Sequence, residues 1–189
     1  MKKGYFNTSE LKKIKFKKIG TNVLISKKTS FINPKNIIIG NNVRIDDFAI
    51  LLASSGKILI GNNVHIGSFC YLNGHAKLII ENYCNLSQGI KIYTKTDNYD
   101  GTTITNPTFS EKYTKPIVGK VTLKEHCIIG PGTIILPGVN LERGVSIGAM
   151  SLVKTSLKAW NIYAGIPVKK IKKRKKITKK MELIALNEK

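Results

Sequence analysis

Side chains able to do chemistry are few in this chain. Its 189 residues hold three histidines, three cysteines and 11 acids against 32 lysines and arginines. No metal-ligand spacing, phosphate-cradling glycine loop or nucleotide-fold fingerprint links them. The most suggestive placement is Asp97. It closes the stretch Ile92–Asp97 and opens a polar, proline-bearing segment, 98–119, whose residue pattern matches nothing around it. A long irregular excursion in a compact fold is usually functional, and a carboxylate at its entry can orient a nucleophile and accept its proton. The plainer alternative is an aspartate that caps the turn through its own backbone.

The elements that must position these groups follow a period of six. From Leu123 an aliphatic residue opens each hexad (Leu123, Ile129, Ile135, Leu141, Ile147, Val153), and a small residue or valine recurs at the fifth place (Cys127, Thr133, Val139, Val145, Ser151). This period fits neither a helix nor strand alternation. It fits a solenoid in which each hexad is one short strand plus a corner and three hexads close a coil. Glycines 130, 132, 138, 144 and 148 fall at or beside corners, where the backbone needs positive φ or close approach. Earlier coils begin at Ile19, Ile39, Ile60 and Ile80, separated by two or three residues such as Lys57 to Leu59 that read as corner extensions. The fold class is all-β, with a lead-in helix over 1–18 that Ser9 could cap, a solenoid over 19–168 with the excursion 98–119, and a basic segment 169–189 ending in a short helix that packs on or caps the stack.

Within this frame Cys70, Cys84 and Cys127 stand at fifth places and read as buried packing residues. His65, His75 and His126 stand at sixth or fourth places and read as outward, His126 as solvated. Much of the net charge of +21 lies in two runs, Lys12 to Lys18 and Lys169 to Lys180. Such charge suits nucleic acid, an anionic leaflet, small polyanions or simply solvated faces, and no nucleic-acid motif accompanies it. No apolar run is long enough to span a membrane and the N-terminus lacks a signal core, so the expectation is a cytoplasmic protein without integral membrane association.

The hexads together with IGAMSLV (Ile147–Val153) and AGIPVKKIKKR (Ala164–Arg174) resemble the hexapeptide-repeat acyltransferases. IDDF (Ile45–Phe48) and TDNYDG (Thr96–Gly101) are similar to its sugar branch, the anthrose-pathway type that N-acylates dTDP-4-amino-4,6-dideoxyglucose. The resemblance covers about 5–175 and implies a left-handed parallel β-helix, a homotrimer with sites between subunits, and acetyl-CoA or another acyl-CoA as co-substrate without a metal. It also implies roles: Asp97 as base or amine-orienting group, Ser87 as a hydroxyl toward substrate, and Ala149, with Gly130 one coil earlier, as backbone oxyanion donors. Ser151, Lys154, Ala164, Pro167, Lys172 and Arg174 would complete the CoA groove, the cations on its phosphates.

Many O-acetyltransferases of this superfamily carry a histidine at the loop entry, where this chain has none. An amine needs less help than an alcohol to attack a thioester, so N-acylation of a nucleotide-linked amino-deoxysugar is favoured. Transfer to a sugar hydroxyl, with His75 as base, is the alternative. A non-catalytic solenoid and a nucleic-acid binder stand further off.

Overall fold

The computed structural model describes residues 4–187; residues 1–3 of the lead-in and 188–189 of the basic tail lie outside it. The chain winds as a three-sided parallel β-solenoid. The first face stacks Lys18–Ile19, Ile37–Ile39, Lys57–Ile60, Lys77–Ile80, Val121–Leu123 and Asn140–Leu141. The second stacks Leu24–Ile25, Arg44–Ile45, His65–Ile66, Asn85–Leu86, Ile128–Ile129, Ser146–Ile147 and Asn161–Ala164, and Lys169–Lys173 closes it as an antiparallel edge. The third runs from Ser30–Ile32 through Ile50–Leu52, Tyr71–Asn73, Lys91–Ile92 and Ile134–Ile135 to Leu152–Val153.

The hexad openers build the core. Every opener from Ile39 to Val153 is 3% exposed or less, and the fifth-place Val43, Ala49, Val64, Val139 and Val145 fill the space beside them. Burying aliphatic surface along one continuous column is what holds so narrow a fold together. Cys70, Cys84 and Cys127 are buried in that column. Burial pushes the Cys70 thiol up to about 11, so it is a packing group rather than a nucleophile.

Two expectations about local structure need correction. The residues inserted between coils do not extend corners. They lengthen the first-face strands, adding Ile37, Ile58 and Leu78 to the core at 0% exposure each. The lead-in helix, α1 (Thr8–Lys13), is capped by Asn7 and not Ser9: Asn7 accepts from the Glu10 N–H while Glu10 accepts from the Asn7 N–H. Helix α1 places Leu11 on the core, and Phe16 packs edge-on against Phe31 at 4.9 Å, closing the open first coil.

The fourth place of the hexad is the corner itself. There the backbone is left-handed at Asn22, Asn42, Phe48, Asn63, Phe69, Tyr83, His126 and Met150 as well as at Gly89, Gly132, Gly138 and Gly144. Stacking between coils offsets the local cost of this conformation in non-glycine residues.

Candidate active site

The third face carries the reactive groups on its two edges. At its trailing edge, where the third face turns toward the first, the chain leaves the solenoid. The excursion is not structureless. Lys95–Thr96 pairs antiparallel with Ile117–Val118, and the Gly119 N–H closes the neck on Thr94 O at 2.9 Å. Buried Thr94 fixes the neck to the coil before, accepting from the Ala76 N–H at 3.0 Å and donating to Asn73 O at 2.9 Å. The excursion also holds a one-turn helix, α2 (Glu111–Thr114).

Asp97 sits just past this neck, half-buried, in a groove of about 680 Å³ shared with Tyr71, Tyr93, Tyr99, Pro107 and Leu136. It does not cap the turn. That role falls to Asn98, which accepts from the Asp100 N–H at 3.1 Å, and to Asp100, which accepts from the Thr102 N–H at 2.8 Å. Among the described residues the Asp97 carboxylate has no hydrogen-bond or ion-pair partner, so its acceptor capacity is open to a ligand. The tyrosines were not singled out from the sequence. Their signal was position: Tyr71 closes one hexad and Tyr93 is second in another, both outward on the third face, with ring centroids 5.5 Å apart.

His75 is nearby but otherwise engaged. Its Nδ1 lies 3.1 Å from Ser54 Oγ, and its Nε2 accepts from Lys95 Nζ at 3.2 Å. Lys95 also donates to Glu111, which ties α2 down over the ring. Burial, and then the Lys95 charge, hold the His75 pKa below its usual value, against a smaller opposing pull from Glu111. His65 is likewise committed, to Asn85 at 2.9 Å and Asp46 at 2.8 Å. His126 overturns the expectation of a solvated ring. It is 5% exposed, stacked on Tyr83 at 4.8 Å, and its Nε2 lies 2.7 Å from Glu182 of helix α3 (Lys179–Asn187), which folds back over it.

The leading edge of the third face, where the second face turns into it, holds the other set. Ser87, Gly130 and Gly148 follow one another up this corner in adjacent coils. The Ser87 hydroxyl has no partner among the described residues. Gly130 is not a free donor: its N–H bonds to Ile147 O at 2.8 Å, and it is glycine because a Cβ would stand 2.5 Å from the Ala149 nitrogen. Ala149 is exposed, and its N–H has no acceptor among the described residues; at the same place one coil earlier stands Pro131, with no N–H to offer. Ser151 is 2% exposed and works behind this turn, donating to Gly148 O at 2.8 Å and accepting from the Gly165 N–H at 3.2 Å. It is turned inward and positions the turn. Ala164 and Pro167 flank the reversal that leads into Lys169–Lys173 at this same edge.

Two of the cations expected on the CoA phosphates stand away from Ala149. Arg174 is at the opposite edge of the second face, donating to His126 O at 2.8 Å and Gly144 O at 3.1 Å, with its guanidinium over Trp160 at 5.9 Å. Desolvation lowers its pKa, as befits a half-buried clamp. Lys154 is at the trailing edge of the third face, above the excursion. Lys172 stands exposed opposite Ile162. Among the described residues no cluster of three or more His, Cys, Asp or Glu could hold a metal ion.

A three-sided hexad solenoid with a free backbone donor on one edge and a free carboxylate on the other defines a hexapeptide-repeat acyltransferase. No family model matches the chain. It is 41% identical over 180 residues to the dTDP-4-amino-4,6-dideoxy-D-glucose acyltransferase of Escherichia coli, covering 95% of this chain and 94% of that one. The solved structure of a serine-to-cysteine variant of AntD, an N-acyltransferase from Bacillus cereus, in complex with dTDP-4-amino-4,6-dideoxyglucose and coenzyme A, superposes with a TM-score of 0.92 at 43% identity over 100% of both chains. AntD with dTDP and 3-hydroxybutyryl-CoA gives 0.87 at 43%, over 98% and 95%. The chain belongs to the dTDP-4-amino-4,6-dideoxyglucose acyltransferase family: it is an acyl-CoA-dependent sugar N-acyltransferase.

Proposed function

We propose that this protein transfers an acyl group from CoA to the 4-amino group of dTDP-4-amino-4,6-dideoxyglucose, with Asp97 receiving the amine's proton. The observation that carries this reading is the unpartnered Asp97 carboxylate in a tyrosine-lined groove. The neutral amine attacks the thioester carbon, the C–S bond breaks, and the proton taken by Asp97 passes to the departing thiolate. The Ala149 N–H meets the oxygen that becomes negative on the way. The relatives' crystal structures include variants at one serine and one aspartate ten positions apart. Ser87 and Asp97 have that same spacing, which supports their pairing in one site.

One chain does not bring these two residues together. Ser87 and Ala149 lie on the leading edge of the third face and Asp97 on the trailing edge. A homotrimer, in which one subunit's trailing edge meets its neighbour's leading edge, assembles the site from two halves. Transfer to a hydroxyl is disfavoured, because His75, the base it would need, is held by Ser54 and Lys95. A sugar nucleotide and an acyl-CoA are both water-soluble, which supports a cytoplasmic enzyme that prepares an amide-bearing sugar for surface polysaccharide.

Thiol release tests the reading, with acetyl- and 3-hydroxybutyryl-CoA against dTDP-linked 3-amino- and 4-amino-6-deoxyhexoses and their hydroxyl counterparts. Release with the 4-amino sugar is expected. Release only with hydroxyl sugars overturns the proposal.

A further inference from the structure

Apart from Lys172, the site leaves unused the most strongly charged part of the chain. From Lys169 to Lys180 there are eight lysines and one arginine and no acid. Lys169, Lys170, Lys172, Lys173, Lys175, Lys176 and Lys180 are exposed. Charge alone would be a solvated face, but here it surrounds apolar side chains that also face solvent. Ile171 is 61% exposed on the edge strand, and on α3 Met181, Leu183 and Ile184 are 58%, 60% and 48% exposed.

Helix α3 is oriented so that this is so. Thr178 accepts from the Met181 N–H at its start. Glu182, the acid of its described part, turns inward, 2.7 Å from His126 Nε2 and 3.3 Å from Arg143 Nη2. At 100° per residue, turning Glu182 inward points Lys180 and Ile184 away from the solenoid, with Met181 and Leu183 on the flanks. Among the described residues the outer face thus has cations and large apolar groups and no negative charge.

We propose that the edge strand Lys169–Lys173 and helix α3 form a docking surface for an anionic lipid bilayer, with Met181, Leu183 and Ile184 entering the headgroup boundary and the lysines on the lipid phosphates. Cationic residues beside exposed apolar ones on an interfacial helix are the signature of such binding. Charge complementarity selects the lipid, and the apolar groups favour it over nucleic acid, which would leave them in water. The N-terminal lysine run gives an internal contrast. Lys12, Lys13 and Lys17 are exposed, but their apolar neighbours Leu11, Ile14 and Phe16 pack on the core.

The test is co-sedimentation of the full chain with phosphatidylcholine vesicles, with and without about one-third phosphatidylglycerol. Binding to the anionic vesicles alone is expected. A Lys175→Glu/Lys176→Glu/Lys180→Glu variant should bind at least about tenfold more weakly, and so should Met181→Ser/Leu183→Ser/Ile184→Ser. Lys12→Glu/Lys13→Glu/Lys17→Glu should cost much less. All three should keep the wild-type thermal midpoint, elution volume and thiol release with soluble substrates, which separates this inference from the catalytic one. No binding to anionic vesicles overturns it. So does equal loss in the N-terminal variant, which would make the effect one of net charge, or full retention by the serine variant. Nucleic acid displacing the protein from vesicles while the serine variant still binds would assign the surface to nucleic acid. A changed elution volume in the serine variant would assign it to contact between subunits.

Discussion

At the corner between the first and second faces, every coil hands a hydrogen bond to the next. Asn41 accepts from the Thr21 N–H at 2.9 Å, Asn62 from Asn41 at 2.8 Å and Asn82 from Asn62 at 2.8 Å. Further along, the column becomes aromatic: Tyr83 stacks on His126, and Trp160 leans toward His126 across Gly144. The two edges of the third face differ. Each keeps a group with no partner among the described residues, Asp97 on one and the Ala149 N–H on the other. A saturated corner makes the solenoid rigid, and the rigidity lets the other two corners hold reactive groups ready for a ligand. Binding groups can be left unsatisfied only where solvent or substrate reaches them.

If the two edges are halves of one site, breaking either should stop catalysis without unfolding the protein. Asp97→Asn keeps shape and removes the proposed proton acceptor. It should lower kcat/KM by about 10²–10⁴-fold with an unchanged thermal midpoint. Ala149→Pro copies Pro131 of the coil before and removes the N–H, which should cost about 10²–10³-fold in kcat. The two variants sharpen the comparison when mixed. In randomly reassembled trimers about a quarter of the sites would draw an intact half from each neighbour, so roughly a quarter of wild-type activity should return. Recovery absent from mixtures that size-exclusion and mass analysis show to be mixed would place both halves in one chain.

The saturated corner should fail in the opposite way. Gly144 has φ +70°, and a Cβ there would stand 2.4 Å from the Trp160 ring. Gly144→Ala must lift the indole off its column, at about 2–3 kcal/mol, or roughly 5–10 °C in thermal midpoint for a chain of this size. Asn62→Ala removes one rung, leaving the Asn41 N–H without its acceptor, for about 1 kcal/mol and 2–4 °C. Specific activity of the surviving folded protein should stay near wild type in both. A large loss of kcat at full folding would show that this corner takes part in the site.

Sequence made one of these regions far more legible than the other. Period six exposes the core because openers and fifth places point inward, and side-chain direction follows position in a coil. The Asn-Asn pairs of IGNNVR and IGNNVH were visible, yet their third-place ladder depends on contacts about twenty residues away. The fourth place hides its nature. Asn and Gly advertise a left-handed corner, but Phe48, Phe69, Tyr83 and His126 adopt it too because they stack along the column. That is why His126 read as outward: the corner side chain runs along the stack, and α3, more than fifty residues later, covers it. Arg174 was misplaced for a related reason. Its charge was plain, but the antiparallel return of Lys169–Lys173 carries it back across the second face, away from Ala149. Asp97 was legible because it stands where periodicity stops. Tyr93 and Tyr99 stand four residues before it and two after it, but Tyr71 comes from the coil before, and no hexad position joins the three.

The smallest effect concerns the latch that holds the excursion against the solenoid. With Lys95 donating to Nε2, the His75 ring is neutral, its proton on Nδ1 toward Ser54. Burial and Lys95 keep its pKa below the usual 6.5. Between that lowered value and 6.5 the unfolded chain therefore binds more protons than the folded one, so stability declines as pH falls below about 6.5. Asp46 acts in a separate window. Burial would raise its pKa, but the hydrogen bonds from His65 and Arg44 outweigh this, so its contribution is complete above 3.8 and is lost as pH falls from 3.8 through the lowered folded value. His75→Gln should flatten the thermal-midpoint profile between pH 7 and the lowered His75 value while leaving the Asp46 decline in place. It should also raise the KM for the sugar nucleotide a few-fold with little change in kcat, because the ring tethers the segment that shapes the groove and does not touch the reacting atoms. A fall in kcat matching that of Asp97→Asn would instead make His75 the proton acceptor, and transfer to a hydroxyl would then be the reaction to measure.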